Sequence, residues 1–356
     1  MDNKSQSVTD KKDQFLDLIE KNKNKTFWIV THDNPDPDAI ASAFAIKVLL
    51  KFLGVSSEIF YHGEIDFRNS AMQNVLKIPI KHISNKETDK QIDKFVIFVD
   101  CASSKQQNVS IDFEPNIAID HHKTLPDNPN TLFIHEDIGS CSALITNLII
   151  EIEKTKSNKI FDPDDNDKIS NLATALSIGI KTDTLDFTQE QTAEIDHEAY
   201  RFLIKLADKD KFKKIVNYEL PPYVFESINV AWENRASKNP NFIAGLGFLD
   251  ESRKGCISYL ADLFMRLPGI QTALVYAVIG DQIICSGRTN SAAFDEQSLI
   301  NAVFGQGMGG GKEGMFGAKT EFDIFKPSDM EDEDKTKLWE LVKRTIEKRF
   351  HKFTEK

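Results

Sequence analysis

The feature that most constrains this chain is a repeated change of hydrophobic period. Continuous apolar runs of strand length alternate with stretches whose apolar residues recur at helical spacing. KTFWIVTH reads as a buried strand, DAIASAFAIKVLLKFLG as a helix closed by Gly54, SSEIFYH as a strand and NSAMQNVLKI as a short helix. KFVIFVD, NIAIDHH and TLFIHED are further strands, and SCSALITNLIIEIEK and KISNLATALSIGIK are apolar helices. Strands apolar on both faces and separated by helices predict an α/β fold with a mostly parallel sheet covered on both sides. Such sheets bind ligands at the carboxyl ends of their strands, so chemistry is sought just after each strand.

From about Thr188 to Ala236 the pattern is helical and charge-rich, broken by Pro221-Pro222, and reads as a connector. Beyond it NFIAGLGFLD, TALVYAVIG, QIICSGR and AKTEFDIF predict strands, while the segment around SYLADLFMRL and FDEQSLINAVF predict helices: a second, smaller α/β domain. The tail EDEDKTKLWELVKRTIEKRF places acids first and bases last, as a helix dipole favours, and reads as a solvated capping helix. A chain of 356 residues exceeds the roughly 250–300 at which single cores stop growing, which agrees with two domains.

Composition narrows the function. With 44 Lys and Arg against 55 Asp and Glu the net charge is −11, a poor match to a long nucleic acid bound by a general basic surface. Apolar runs fall short of the roughly 20 residues of a membrane span, and the polar opening does not read as a leader. Cys101, Cys141, Cys256 and Cys285 lack CxxC spacing, so neither a disulfide framework nor a zinc knuckle is expected and a cytoplasmic setting fits.

Four groups of ligand-type side chains follow predicted strand or helix ends. In THDNPDPDAI, His32, Asp36 and Asp38 leave a strand tip in a loop stiffened by Pro35 and Pro37; the alternative is a polar turn with Asp38 capping the next helix. Asp100 ends KFVIFVD. Asp120, His121 and His122 end the next strand, where adjacent side chains of an extended backbone point to opposite sides, so one histidine is expected on metal and the other free for substrate. Asp183 follows an apolar helix, flanked by threonines. Two imidazoles with four carboxylates suit a pair of divalent ions, manganese ahead of magnesium because imidazole is among the donors.

The series HDNPDPD, VDCAS, IDHHK and KTDT resembles the DHH phosphoesterase superfamily, and the later SGR and GMGGGKEGMFGA segments resemble its associated C-terminal domain, over roughly residues 20 to 325. The resemblance implies a DHH catalytic domain at 1–190, a helical connector at 191–236, a DHH-associated domain at 237–328 and a terminal helix at 329–356, the two domains facing each other across a cleft. It implies one ion held by His32, Asp36 and Asp100 and another by Asp38, Asp100, His121 and Asp183, with Asp100 bridging. Such ions ready a hydroxide for in-line attack on phosphorus, and His122 is left to bind a phosphate oxygen or protonate the leaving group.

In the second domain Gly309, Gly310 and Gly311 let backbone N–H groups approach an anion, and Arg288 is a natural fork for a terminal phosphate; a free surface loop and a surface ion pair are the plainer alternatives. The nanoRNase and 3′-phosphoadenosine 5′-phosphate (pAp) phosphatase branch carries a histidine after the triple glycine, whereas this chain has Lys312, a point charge without imidazole geometry. Phe316 in the glycine segment is read as core or as a base-stacking ring, and Asn69 as a helix cap or a cleft residue. The expected enzyme hydrolyses short oligonucleotides, linear dinucleotides or pAp-like nucleotides, with a homodimer implied by the resemblance and neither membrane nor long duplex as partner. The alternatives are a pyrophosphatase or exopolyphosphatase, and a non-catalytic nucleotide sensor.

Overall fold

The computed structural model describes residues 8–84, 94–104, 109–110, 113–162, 166–292, 295–312 and 314–355. The chain divides into two compact units, Met1–Tyr218 and Glu219–Lys356. In chain order the first holds α1 (Val8–Lys21), β1 (Phe27–Val30), α2 (Pro37–Phe52), β2 (Ser57–Tyr61), α3 (Phe67–Leu76), β3 (Ile80–His82), β4 (Phe95–Val99), β5 (Ile117–Asp120), β6 (Leu132–His135), α4 (Cys141–Glu153), α5 (Asn166–Asp183), α6 (Glu194–Leu203) and α7 (Lys209–Val216).

All six strands of the first unit are parallel, in the order β3-β2-β1-β4-β5-β6. The chain runs from β1 outward through β2 and β3, then returns beside β1 to build β4, β5 and β6. The sheet order therefore reverses between β1 and β4, which is where open α/β sheets place their ligands. Every residue of β1, β4 and β5 is buried, because helices cover one face and loop residues such as Ile83, Val109 and Phe113, not the helices expected on both sides, cover the other. On one face α2, α4 and α5 bury Ile40, Ile46, Leu49, Leu144, Leu148, Leu172 and Leu176. The other face buries Trp28, Phe60, Phe98 and Phe113.

Helix α2 begins at Pro37 behind Asp36, whose side chain accepts from the Ala39 N–H at 2.9 Å; Asp36, and not Asp38, is thus the cap. Its end is marked by Gly54 at φ +81°, as the sequence suggests. The cap of α3 is Asp66 rather than Asn69, whose side-chain amide instead donates to the Pro35 carbonyl at 3.1 Å. The short edge strand β3 has no counterpart in the sequence reading.

The second unit holds α8 (Pro222–Glu233), β7 (Asn241–Leu249), α9 (Gly255–Phe264), β8 (Thr272–Ile279), β9 (Gln282–Thr289), α10 (Glu296–Val303), β10 (Gly309–Lys312), β11 (Met315–Glu321) and α11 (Asp332–Thr354). The stretch read as a connector is divided: α6 and α7 belong to the first unit, α8 to the second. The sheet order is β10-β11-β9-β8-β7, with only β7 and β8 parallel. Helix α11 is not merely a solvated cap, because Val342, Ile346 and Phe350 enter the core with Leu274, Leu299 and Val303. The glycine segment is not a free loop, since Gly309–Lys312 pairs with β11.

Helices α2, α4 and α5 come together at Gly179, where an added Cβ would lie 2.2 Å from Ser142 Oγ and 3.0 Å from Asp38 Oδ1. Gly179→Ala is therefore expected to lower stability by about 1–3 kcal/mol in chemical denaturation, the usual cost of overpacking. An unchanged midpoint would contradict this packing.

Candidate metal centre

Three parallel strands deliver the site. His32 leaves the tip of β1, Asp100 follows β4 and His121 follows β5, so their backbones are set side by side by sheet spacing of about 4.8 Å. Asp36 and Asp38 come from the start of α2, and Asp183 is the last residue of α5.

The structure brings together the six ligand-type residues singled out by the sequence. Ligand atoms of His32, Asp36 and Asp100 lie within 4.8 Å of one another, as do those of Asp38, His121 and Asp183. Asp100 touches both groups: its Oδ2 is 3.4 Å from His32 Nε2 and its Oδ1 is 3.6 Å from His121 Nε2. Asp183 Oδ2 stands 3.1 Å from His121 Nε2. Asp120 with Asp100 and both histidines forms an overlapping group, but its Oδ1 already accepts from the His122 backbone N–H at 3.0 Å and faces His122 Nδ1 at 2.8 Å.

Local bonds orient these side chains. His32 and His121 each have Nδ1 against a backbone carbonyl, His32 on Asp33 and His121 on Ile138, each at 2.9 Å. Donation from Nδ1–H fixes the tautomer that leaves Nε2 as the free acceptor, the arrangement usual for a metal-binding imidazole. Asp38 Oδ2 and Oδ1 accept from the Cys141 and Ser142 N–H groups at 2.7 and 2.8 Å, which places its charge on the N-terminus of α4. Asp100 sits at φ +60°, a left-handed conformation that turns the chain at the strand end. The loop between β1 and α2 is pinned as well. Asn34, at φ +53°, donates its N–H to the His62 carbonyl and accepts from Glu64 N–H, and Asp33 accepts from Ser110 N–H at 3.1 Å.

One expectation about direction fails. His121 and His122 do not point to opposite sides; their rings lie 4.2 Å apart between centroids. The strand ends at Asp120, and a bend in place of extended backbone lets both imidazoles face the same region.

Asp100 Oδ1, His121 Nε2 and Asp183 Oδ2 are buried without a hydrogen-bond partner, all aimed at the same volume. Such atoms are costly unless something satisfies them, and mutually facing carboxylates call for a cation. Burial first, then Asp38 and Asp36, pushes Asp100 well above the usual carboxylate range. Burial and Asp183 push Asp38 up to about 7, partly opposed by His121. Burial would lower His121, but Asp183 and Asp100 outweigh it and hold the imidazole well above its ordinary value. The donor set and its orphaned atoms fit a divalent metal.

The remaining candidates belong to the second unit. Arg288, on β9, is forked on Asp262 (Nε–Oδ1 2.6 Å, Nη2–Oδ2 3.3 Å), and its Nη1 reaches Ser286 Oγ and the Gly287 carbonyl. Gly309 and Gly311 allow close strand and helix approach: a Cβ at Gly309 would sit 2.1 Å from the Gly317 carbonyl oxygen, and one at Gly311 2.6 Å from Glu296 Cβ. At Gly310 a Cβ would meet Gln297 Oε1 at 3.7 Å, an ordinary van der Waals contact. Lys312 has its backbone in β10, and its side chain lies outside the described residues. Phe316 is a core residue packed over Gly287, so no face is open for a base. Residues the sequence reading passed over include Asn34, Gly179, Asp196 and Asp262; of these only Asn34, beside two prolines, carries a turn signal.

A cluster of carboxylates and imidazoles at the switch point of a parallel sheet defines a metal-binding α/β domain. Residues 26–180, all within the first unit, match the model of the DHH family, N-terminal domain. Over 335 residues, 93% of this chain, it is 32% identical to the uncharacterized protein MJ1633 of Methanocaldococcus jannaschii, covering 64% of that protein. It is 30% identical over 183 residues, 50% of the chain, to a probable manganese-dependent inorganic pyrophosphatase of Lactiplantibacillus plantarum, covering 54% of it. The chain thus spans between about half and two thirds of the length of these curated relatives. An exopolyphosphatase-related protein from Bacteroides fragilis shares the fold, with a TM-score of 0.65 at 18% identity over 95% of this chain and 98% of that one. Among the described residues no helix is long and apolar enough to cross a membrane.

Raised values on Asp100, Asp38 and His121 mean that a cation must displace protons from the site. Divalent-metal affinity is therefore expected to rise as pH increases through the neutral range, with net proton release in calorimetry run in two buffers of different ionisation enthalpy. Affinity that stays flat between about pH 6 and 8 would contradict the linkage.

Proposed function

We propose that the protein is a phosphoesterase that uses two divalent ions, manganese ahead of magnesium, to hydrolyse small phosphorylated substrates. The carrying observation is the set of orphaned buried donors, Asp100 Oδ1, His121 Nε2 and Asp183 Oδ2, that converge with His32, Asp36 and Asp38. His32, Asp36 and Asp100 would hold one ion, and Asp38, His121, Asp183 and the shared Asp100 the other. Bound there, the metals would supply activation of water and neutralisation of phosphoryl charge.

The chain's own contribution beyond the ligands centres on His122. Its side chain is 36% exposed, whereas that of His121 is 5% exposed. Donation of Nδ1–H to Asp120 orients the ring and leaves Nε2 as its free edge. When protonated, Nε2 donates to a phosphoryl oxygen or to the leaving oxygen, the chemistry suited to imidazole near neutral pH.

Two substrate classes are in play. Short oligonucleotides, linear dinucleotides and pAp-like nucleotides follow from the resemblance of the second unit, whose Arg288, Gly309, Gly310, Gly311 and Lys312 would contact phosphate. Arg288 has most of its donors engaged by Asp262, Ser286 and Gly287, so a phosphate there competes with or adds to the Asp262 pair. Inorganic pyrophosphate is the second reading, favoured by the 30% identity to a probable manganese-dependent inorganic pyrophosphatase.

A panel of pAp, short RNA and DNA oligomers, linear dinucleotides and pyrophosphate, assayed with manganese, separates the two. Turnover of nucleotides without pyrophosphate supports the first reading, and phosphate release from pyrophosphate alone supports the second. On whichever substrate is turned over, Asp100→Ala is expected to cost more than about 100-fold in kcat, beyond the loss typical of groups that only support a ligand. Near-normal turnover by a folded variant would refute the shared-ligand role.

A further inference from the structure

We propose that Asp196 is a positioning residue that holds Asp38, His121 and Asp183 as one ion's ligand set; the inference rests on the two-ion reading above. Asp196 lies on α6, outside the four motif segments, and is fully buried. Its Oδ2 accepts from the Gly139 N–H at 2.8 Å and the Ala193 N–H at 2.9 Å, and its Oδ1 accepts from Ser140 Oγ–H at 2.9 Å. A single carboxylate thus locks the loop between β6 and α4.

That loop and the start of α4 meet two of these side chains, His121 and Asp38, and the neighbour of the third, Thr184. Ile138, one residue before Gly139, presents the carbonyl that fixes His121 through Nδ1. Ser140 caps α4, accepting from the Ala143 N–H at 3.2 Å, and the N–H groups of Cys141 and Ser142 hold the two oxygens of Asp38. Gly139 is pressed against the residue that follows Asp183: a Cβ there would come 2.7 Å from Thr184 Cγ2 and 2.9 Å from Asp196 Oδ2. His32 and Asp36 are held by other means, the Asp33 carbonyl and the first turn of α2.

The geometry predicts a selective effect. Without the Asp196 carboxylate the Gly139 N–H and the Ser140 hydroxyl lose a buried acceptor, and the His121 carbonyl partner and the α4 N-terminus are freed to shift together. Ligand placement for the Asp38, His121 and Asp183 ion loosens, while the His32 and Asp36 side keeps its supports.

The test is a manganese titration of the full chain followed by electron paramagnetic resonance, which reports both free Mn2+ and whether bound ions are magnetically coupled. The unsubstituted protein is expected to bind two ions with a coupled signal. Asp196→Ala is expected to keep one ion at ordinary affinity and to bind the second about 10- to 100-fold more weakly, leaving an isolated-ion spectrum. Asp196→Asn, which retains an oxygen for the two backbone N–H groups, should recover much of the coupled signal. If Asp196→Ala does not fold, Ser140→Ala, which removes the hydroxyl held by Asp196 Oδ1, carries the test and should weaken the same single ion. Unchanged affinity for both ions, or equal weakening of both without recovery in Asp196→Asn, overturns the proposal. Failure of the unsubstituted protein to bind a coupled pair instead overturns the two-ion reading on which it stands.

Discussion

The structure of the first unit depends on one electrostatic constraint: several carboxylates and imidazoles are driven into a small, largely buried volume where they cannot satisfy one another. Asp38 and Asp100 are almost wholly buried, and Asp183 faces them across His121. Like charges in such a setting either take up protons or recruit a cation. The parallel sheet imposes the convergence, because adjacent strands β1, β4 and β5 end at the same edge and the helices packed on them supply the remaining acids. Backbone N–H groups at the start of α4 then hold Asp38 in place.

Much of this was legible in the sequence. Buried strands announced themselves as FWIV, FVIFV and IAID, and each potential ligand followed a strand or helix end. What the sequence hid were features set by tertiary contact. The cap of α2 is Asp36 because Asp38 turns toward α4, a helix more than 100 residues away in the chain. The two adjacent histidines share a side because the strand stops one residue before the first of them. Asp196 carries no motif; its importance comes only from the loop folded against it.

The second unit shows the same division. Its glycine-rich segment was visible by composition, yet the reason for two of those glycines is packing: Gly309 and Gly311 admit a strand and a helix that a Cβ would exclude. Phe316, conspicuous among the glycines, fills the space over Gly287. Arg288 carries the charge expected of a phosphate contact, but in the structure its fork is paired with Asp262. A short edge strand such as β3 gives too little periodic signal to be read from three residues.

The central claim is tested most directly by anomalous diffraction at the manganese edge from crystals grown or soaked with the metal. The account predicts two peaks about 3.5–4 Å apart, both contacted by Asp100, one flanked by His32 and Asp36 and the other by Asp38, His121 and Asp183. A map at saturating manganese with no peak among these residues, or with peaks held by other side chains, would contradict it.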